Sequence, residues 1–91
     1  MREWGRRYTA MNAAIRRINE QLGQGVLDGV GIGESNARVI VEPSAWSRLS
    51  ELRKDEIYRE LRTNWKELTG QAKGLMITGP RDSGFEIFRG C

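Results

Sequence analysis

Histidine is missing from this sequence, and cysteine is nearly so. None of the 91 residues is a histidine, and the only cysteine is Cys91. Without histidine there is no Ser-His-Asp or Cys-His pair to activate a nucleophile, and no imidazole to bind zinc or iron. A single cysteine forms no internal disulfide, and its thiol is best tolerated in a reducing compartment. We therefore predict that the protein is not an enzyme and has no catalytic residues, metal site or cofactor.

Long apolar segments are also lacking. No run approaches the roughly 18 residues that a membrane span needs. The N-terminal sequence MREWGRRYTAMNAAIRR contains no apolar stretch of the kind found in signal peptides. We expect a cytoplasmic protein that does not contact a membrane. Its 91 residues suit one domain, 1–91, with a core of modest size.

Positive charge is concentrated near the N-terminus. The net charge is +3 and the sequence pI is about 9.5. Residues 1–24 contain five arginines and two glutamates, so they hold the whole excess. This asymmetry is compatible with binding to a nucleic acid or to an acidic protein surface.

The first segment has the apolar spacing of an amphipathic helix. Apolar side chains recur at steps of four and three residues, which places them on one stripe. Its members are Trp4, Tyr8, Met11, Ile15, Ile18 and Leu22. The predicted span is Arg7–Gln21, because Gly23 supplies a stop. We expect this stripe to be buried within a monomer rather than in a homodimer. The arginines predicted to lie opposite the stripe, as candidate partner-binding residues, are Arg2, Arg6, Arg16 and Arg17.

The glycine-rich stretch GQGVLDGVGIGESNARVIVEP covers residues 23–43. Phosphate-binding glycine loops open a helix or end in Gly-Lys-Ser/Thr, whereas here a β-branched run follows. We therefore predict a β-hairpin that turns at Glu34-Ser35-Asn36. Gly29 and Gly31 would form a bare strand face under a closely packed element. On that view Gly31→Val should destabilise the fold by about 1–3 kcal/mol through overpacking.

Residues 44–69 return to helical spacing in two pieces. Ser44 is predicted to cap a short helix that carries Trp46, Leu49 and Leu52. Asp55 is predicted to cap a longer helix, Glu56–Leu68, which ends at Gly70. The predicted apolar face of the longer helix consists of Ile57, Tyr58, Leu61, Trp65 and Leu68.

A basic row follows one flank of that longer helix. Arg59, Arg62 and Lys66 occupy positions i, i+3 and i+7. The like charges of Arg62 and Lys66, four residues apart, cost a few tenths of a kcal/mol in an isolated helix. Such a row is typical of a solvated helix face, and it is also the pattern of a partner-binding site, for which these three residues are the candidates. The acidic side chains of the opposite flank are Glu56, Glu60 and Glu67.

The C-terminal stretch is predicted to form a second hairpin. Its strands are Leu75–Thr78 and Phe85–Phe88, joined by a loop rich in glycine, proline and aspartate. The element order is then helix, strand, strand, broken helix, strand, strand. This order predicts an α+β fold in which an antiparallel or mixed sheet packs against two helices.

The segment ARVIVEPSAWSRLSELRKDEIYREL, residues 37–61, resembles the BolA family. There, too, an apolar strand leads through a short helical turn into a basic helix with an apolar–aromatic pair, here Ile57-Tyr58. The resemblance implies a type II KH-like fold and glutaredoxin-linked handling of iron–sulfur clusters. Lys54 stands at the family's histidine, and Trp46-Ser47-Arg48 replaces its glycine-containing loop. Because a fold alone does not carry function, the cluster chemistry is not extended to this chain.

Three functions are compatible with the sequence. The preferred one is a small non-enzymatic module that docks on another protein or complex and inhibits or regulates it. The alternative is a basic, KH-like or BolA-like regulatory protein that binds nucleic acid. Its phosphate contacts would be Arg2, Arg6, Arg7, Arg16 and Arg17 together with Arg59, Arg62 and Lys66. The least supported is an enzyme that uses Asp28, Glu34 or Glu42 as acid or base, because no spacing pairs these carboxylates.

Overall fold

Helices and strands follow one another in the predicted order, and the class is α+β. The structure, a computed structural model, describes residues 2–71 and 73–90, with side chains from Gly5 onward. Cys91 and the side chains of Arg2 and Trp4 lie outside the described residues, and with them the predicted exposure of Arg2 and burial of Trp4. The elements are α1 Arg2–Leu22, β1 Leu27–Ile32, β2 Ala37–Val41, α2 Pro43–Ser47, α3 Glu51–Thr69, β3 Leu75–Thr78 and β4 Ile87–Gly90, with a 3₁₀ turn at Arg81–Ser83.

Helix α1 packs its apolar stripe on the sheet and against α3. Met11, Ile15 and Ile18 are buried. Gly23 ends the helix with a left-handed φ of 72°, as the sequence predicts. Tyr8 departs from the predicted buried stripe because 52% of it remains exposed.

The four strands form one mixed sheet in the order β1-β2-β3-β4. The two outer pairs are antiparallel and the central pair, β2 and β3, is parallel. A parallel pair needs a crossover, and α2 and α3 provide it. Val39 and Ile77, aligned across the central pair, face the helices and are fully buried. The fully buried Leu61 and Trp65 of α3 belong to the same core.

The first hairpin forms as predicted, but its glycine face is open. The Gly33 amide donates to the Asn36 carbonyl at 2.7 Å and closes the turn. Gly29 and Gly31 lie opposite Ile40 and Arg38, on the side of the sheet away from the helices. A Cβ atom added at either glycine would meet no atom within 4 Å. The predicted close approach at Gly31 is therefore wrong, because no described atom lies close enough to this glycine to exclude a side chain.

Both caps of the crossover differ from the predicted ones. The Glu42 carboxylate, rather than Ser44, caps α2 and accepts from the Ala45 amide at 2.6 Å. The Ser50 hydroxyl accepts from the Arg53 amide at 3.1 Å, so α3 begins at Glu51 and not after Asp55.

The earlier start of α3 changes the position of Leu52. This residue belongs to the first turn of α3 and is 68% exposed, instead of being an apolar residue of the short helix. At the other end, Gly70 terminates α3 in a left-handed conformation, as predicted.

The second hairpin starts its last strand later than predicted. Strand β4 runs Ile87–Gly90 and not Phe85–Phe88. Phe85 has a left-handed φ of 57°, which is incompatible with a strand. Its ring lies 4.1 Å from the Arg38 guanidinium carbon, so the loop between β3 and β4 contacts the open face of the sheet. Among the described residues no helix has the length and apolarity to cross a bilayer.

Candidate partner-binding surface

The basic row predicted on α3 is present as one surface. Arg59, Arg62 and Lys66 are exposed. Together with Thr63 they line a shallow concavity of about 380 Å³. The helical rise of about 1.5 Å per residue spreads the three charges over roughly 10 Å of the helix axis. We call Arg59, Arg62 and Lys66 the basic ridge.

The basic ridge has no ion pair within the described part of the chain, whereas other cations of α3 and its neighbours do. Arg53 pairs with Glu56 at 3.4 Å. Lys54 pairs with Glu51 at 3.7 Å, and Arg89 pairs with Glu51 at 3.0 Å. The ridge therefore holds three adjacent positive charges that the described residues leave uncompensated.

One residue of the acidic flank contacts α1. The guanidinium of Arg17 on α1 lies 3.5 Å from the Glu60 carboxylate. Glu56 and Glu67 share the flank of Glu60, because residues four and seven apart lie on one side of a helix. The acidic flank thus has a link to α1, whereas the basic ridge makes no ion pair with the described part of that helix.

The structure does not bring the arginines of α1 together with the basic ridge. Arg17 is tied to the acidic flank, as above. Arg6 and Arg16 are exposed and make no ion pair with any described residue. Arg16 lines a separate concavity with Tyr8, Thr9 and Asn12 on its own helix. The basic ridge lines a different concavity, which includes no arginine of α1.

Arg7 has a structural position. Its guanidinium donates to the Glu34 carbonyl at 3.1 Å, which ties α1 to the turn of the first hairpin. The same group lies 5.7 Å from the centre of the Trp65 ring. These contacts explain why Arg7 is half-buried while Arg6 is exposed.

Several ion-paired side chains lie together at the N-terminal end of α3. Arg89 of β4 reaches Glu51 and also Asp55, at 3.4 Å. Lys54 lies 5.9 Å from the centre of the Trp46 ring, and that ring stacks on Phe88 with centroids 6.5 Å apart. Lys54 of α3 therefore lies beside Trp46 of α2.

The carboxylates considered for catalysis have other surroundings. Glu42 caps α2, and Asp28 and Glu34 are exposed, one in β1 and one in the hairpin turn. Among residues 2–71 and 73–90 no three aspartate, glutamate or cysteine side chains are grouped so as to hold a metal ion.

Sequence reasoning found the basic ridge but missed one exposed neighbour. Leu52 lies on α3 seven residues before Arg59 and is exposed. The sequence predicts it instead as an apolar residue of the short helix that precedes α3. The Ser50 hydroxyl, which starts α3 ahead of Leu52, is the signal that places it.

Comparison with protein-family models, with curated proteins and with solved structures finds no match to this chain. The BolA resemblance stays a prediction, and the function is argued from the surface itself.

Proposed function

We propose that this chain is a non-enzymatic binding module that docks on an acidic surface of another protein through Arg59, Arg62 and Lys66. The observation that carries this proposal is the set of three adjacent, exposed cations without an ion pair among the described residues. Exposed like charges oppose one another slightly within the helix, and an acidic partner would relieve that repulsion.

The arrangement of the acidic flank favours a protein over a nucleic acid. A polyanion that contacted both the α1 arginines and the basic ridge would have to compete with Glu60 for Arg17, which already pairs with that carboxylate. A compact acidic patch on a protein needs to contact only the ridge. Arg6 and Arg16 then contribute through the general field of the molecule rather than through the same contact.

Capture of partners from a native lysate, with and without nuclease, tests the proposal. The ridge variant combines Arg59→Gln, Arg62→Gln and Lys66→Gln. The control variant combines Arg48→Gln, Lys73→Gln and Arg81→Gln, three exposed cations elsewhere on the chain that have no ion pair in the described residues. Both variants lose the same net charge, so any difference between them reports position rather than total charge.

We expect a protein that is captured in the presence of nuclease, retained by the control variant and lost by the ridge variant. Salt should act mainly on the association rate of such a complex. Two outcomes contradict the proposal. One is full retention by a folded ridge variant; the other is capture that nuclease abolishes, with a salt dependence that flattens by about 0.7–0.9 per lost phosphate contact.

A further inference from the structure

The outer face of α3 carries an apolar side chain in line with the basic ridge. Leu52, Arg59 and Lys66 follow one another at intervals of seven residues. Seven residues make almost two helical turns, so these side chains point within about 20° of each other at each step. Leu52 is 68% exposed. The three residues therefore form one stripe, which extends roughly 20 Å along the helix.

Charge is distributed unequally along this stripe. Around Leu52, the three carboxylates of the first two turns all have cationic partners: Glu51 and Asp55 pair with Arg89, and Glu56 pairs with Arg53. The basic ridge, by contrast, has none in the described chain. One end of the stripe is thus apolar and locally neutral, while the other end is cationic.

We propose that Leu52 is the apolar anchor of the docking surface, and that the partner segment is an acidic amphipathic helix lying antiparallel along α3. This inference rests on the proposed function, since it names the partner of the same surface. A seven-residue repeat is matched by the side-chain rows of another helix. Carboxylates are favoured near a helix N-terminus, and an antiparallel partner presents that end to the basic ridge.

The charge and the apolar character of the stripe favour a partner helix over a nucleic acid. An apolar anchor gains nothing from a phosphate backbone, but it is the kind of side chain that fills a pocket between the residues of a partner helix. Of the other large apolar side chains that are exposed in the described structure, Tyr8 lies on α1 and Ile87 on β4, so neither extends this stripe.

A designed peptide tests the anchor without knowledge of the natural partner. The probe is a fluorescent Ala- and Gln-rich helix of about 24 residues, long enough to be helical in isolation. It carries glutamates at i, i+4 and i+7, to face Lys66, Arg62 and Arg59 in that order, and a leucine seven residues further on, to face Leu52. A second peptide has serine in place of that leucine. Binding is measured by fluorescence anisotropy.

We expect Leu52→Ser to weaken binding of the leucine peptide by about five- to tenfold, as partial burial of a leucine predicts. The serine peptide should bind the wild type with the same loss, and Leu52→Ser should then have no further effect. Ile87→Ser, which removes an exposed apolar side chain of equal size elsewhere, should leave the affinity unchanged.

Failure of the anchor and failure of the docking site give different results. If the ridge variant loses the peptide while Leu52→Ser binds it like the wild type, the anchor is wrong and the docking site stands. If the ridge variant binds the peptide as tightly as the wild type, the docking site itself is wrong. No saturable binding of the leucine peptide, or tighter binding of a single-stranded oligonucleotide that Leu52→Ser does not change, overturns the acidic helix as partner.

Discussion

The surroundings of Gly31 determine how a side chain at this position would change the stability of the protein. It lies in the edge strand β1, opposite Arg38, and faces away from the helices. A Cβ atom at this position would meet open space. Its φ is not among the positive values of the chain, so an L-residue fits the backbone. Glycine in a strand is destabilising relative to alanine because it loses more conformational entropy on folding.

We therefore predict that Gly31→Val raises the free energy of unfolding, by about 0.5–1 kcal/mol. Urea denaturation of the purified protein measures this value. Gly74→Ala is the contrasting variant, because Gly74 has a φ of 90° and an added Cβ would collide with the Ser35 carbonyl oxygen. It should lower stability by more than about 1 kcal/mol. A Gly31→Val protein less stable than the wild type would show that something covers this face.

The residues that cap α2 and α3 determine where each of these two helices begins. Ser44 and Ser50 are both plausible N-caps by residue type. The structure uses Ser50 for α3, and it uses Glu42 for α2, where Pro43 occupies the first turn. The Ser44 hydroxyl has no capping bond in α2.

Ser50→Ala is predicted to lower the free energy of unfolding by about 1 kcal/mol, since it removes the acceptor for the Arg53 amide. Ser44→Ala should change it by less than about 0.5 kcal/mol, as expected for an exposed side chain outside a cap. Thermal unfolding followed by circular dichroism compares the two. Equal effects of the two substitutions would contradict the assignment of the caps.

Local sequence signals predict the first hairpin, but they do not predict the contacts made by the residues around β4. The first hairpin follows from a β-branched run and from Pro43, which are local signals, and its turn is where they place it. Phe85, which lies before the start of β4, contacts Arg38, 47 positions earlier in the chain, and no local pattern contains that contact. Likewise the pairing of Arg89 with Glu51 joins residues 38 apart, so it arises only from tertiary packing.

The candidate surface was predictable only in part. Helical spacing alone places Arg59, Arg62 and Lys66 on one flank, because any start of the helix before Arg59 gives the same alignment. Leu52 joins them only if α3 begins at Glu51, and the sequence offers Asp55 as an equally good cap. Because the sequence does not distinguish Ser50 from Asp55 as the N-cap of α3, it does not predict that Leu52 belongs to the stripe.

In the molecule as a whole, the charged side chains of α3 differ in whether they have partners. Glu60 pairs with Arg17 of α1, whereas Arg59, Arg62 and Lys66 are exposed and have no ion pair among the described residues. An exposed pair of this kind contributes at most about 1 kcal/mol to stability, so the arrangement matters more for recognition than for folding. The proposed docking surface consists of the cations of α3 that lack an ion pair in the described residues.

Backbone amide shifts, followed by NMR during titration with the leucine peptide, show directly where the peptide binds. We expect the largest shift changes along the outer face of α3, at Leu52, Arg59, Arg62, Thr63 and Lys66. Tyr8 and Arg16 on α1, and Gly31 on the open face of the sheet, should change little. Changes concentrated on α1 or on the sheet, with α3 unaffected, would contradict the claim that α3 is the docking surface.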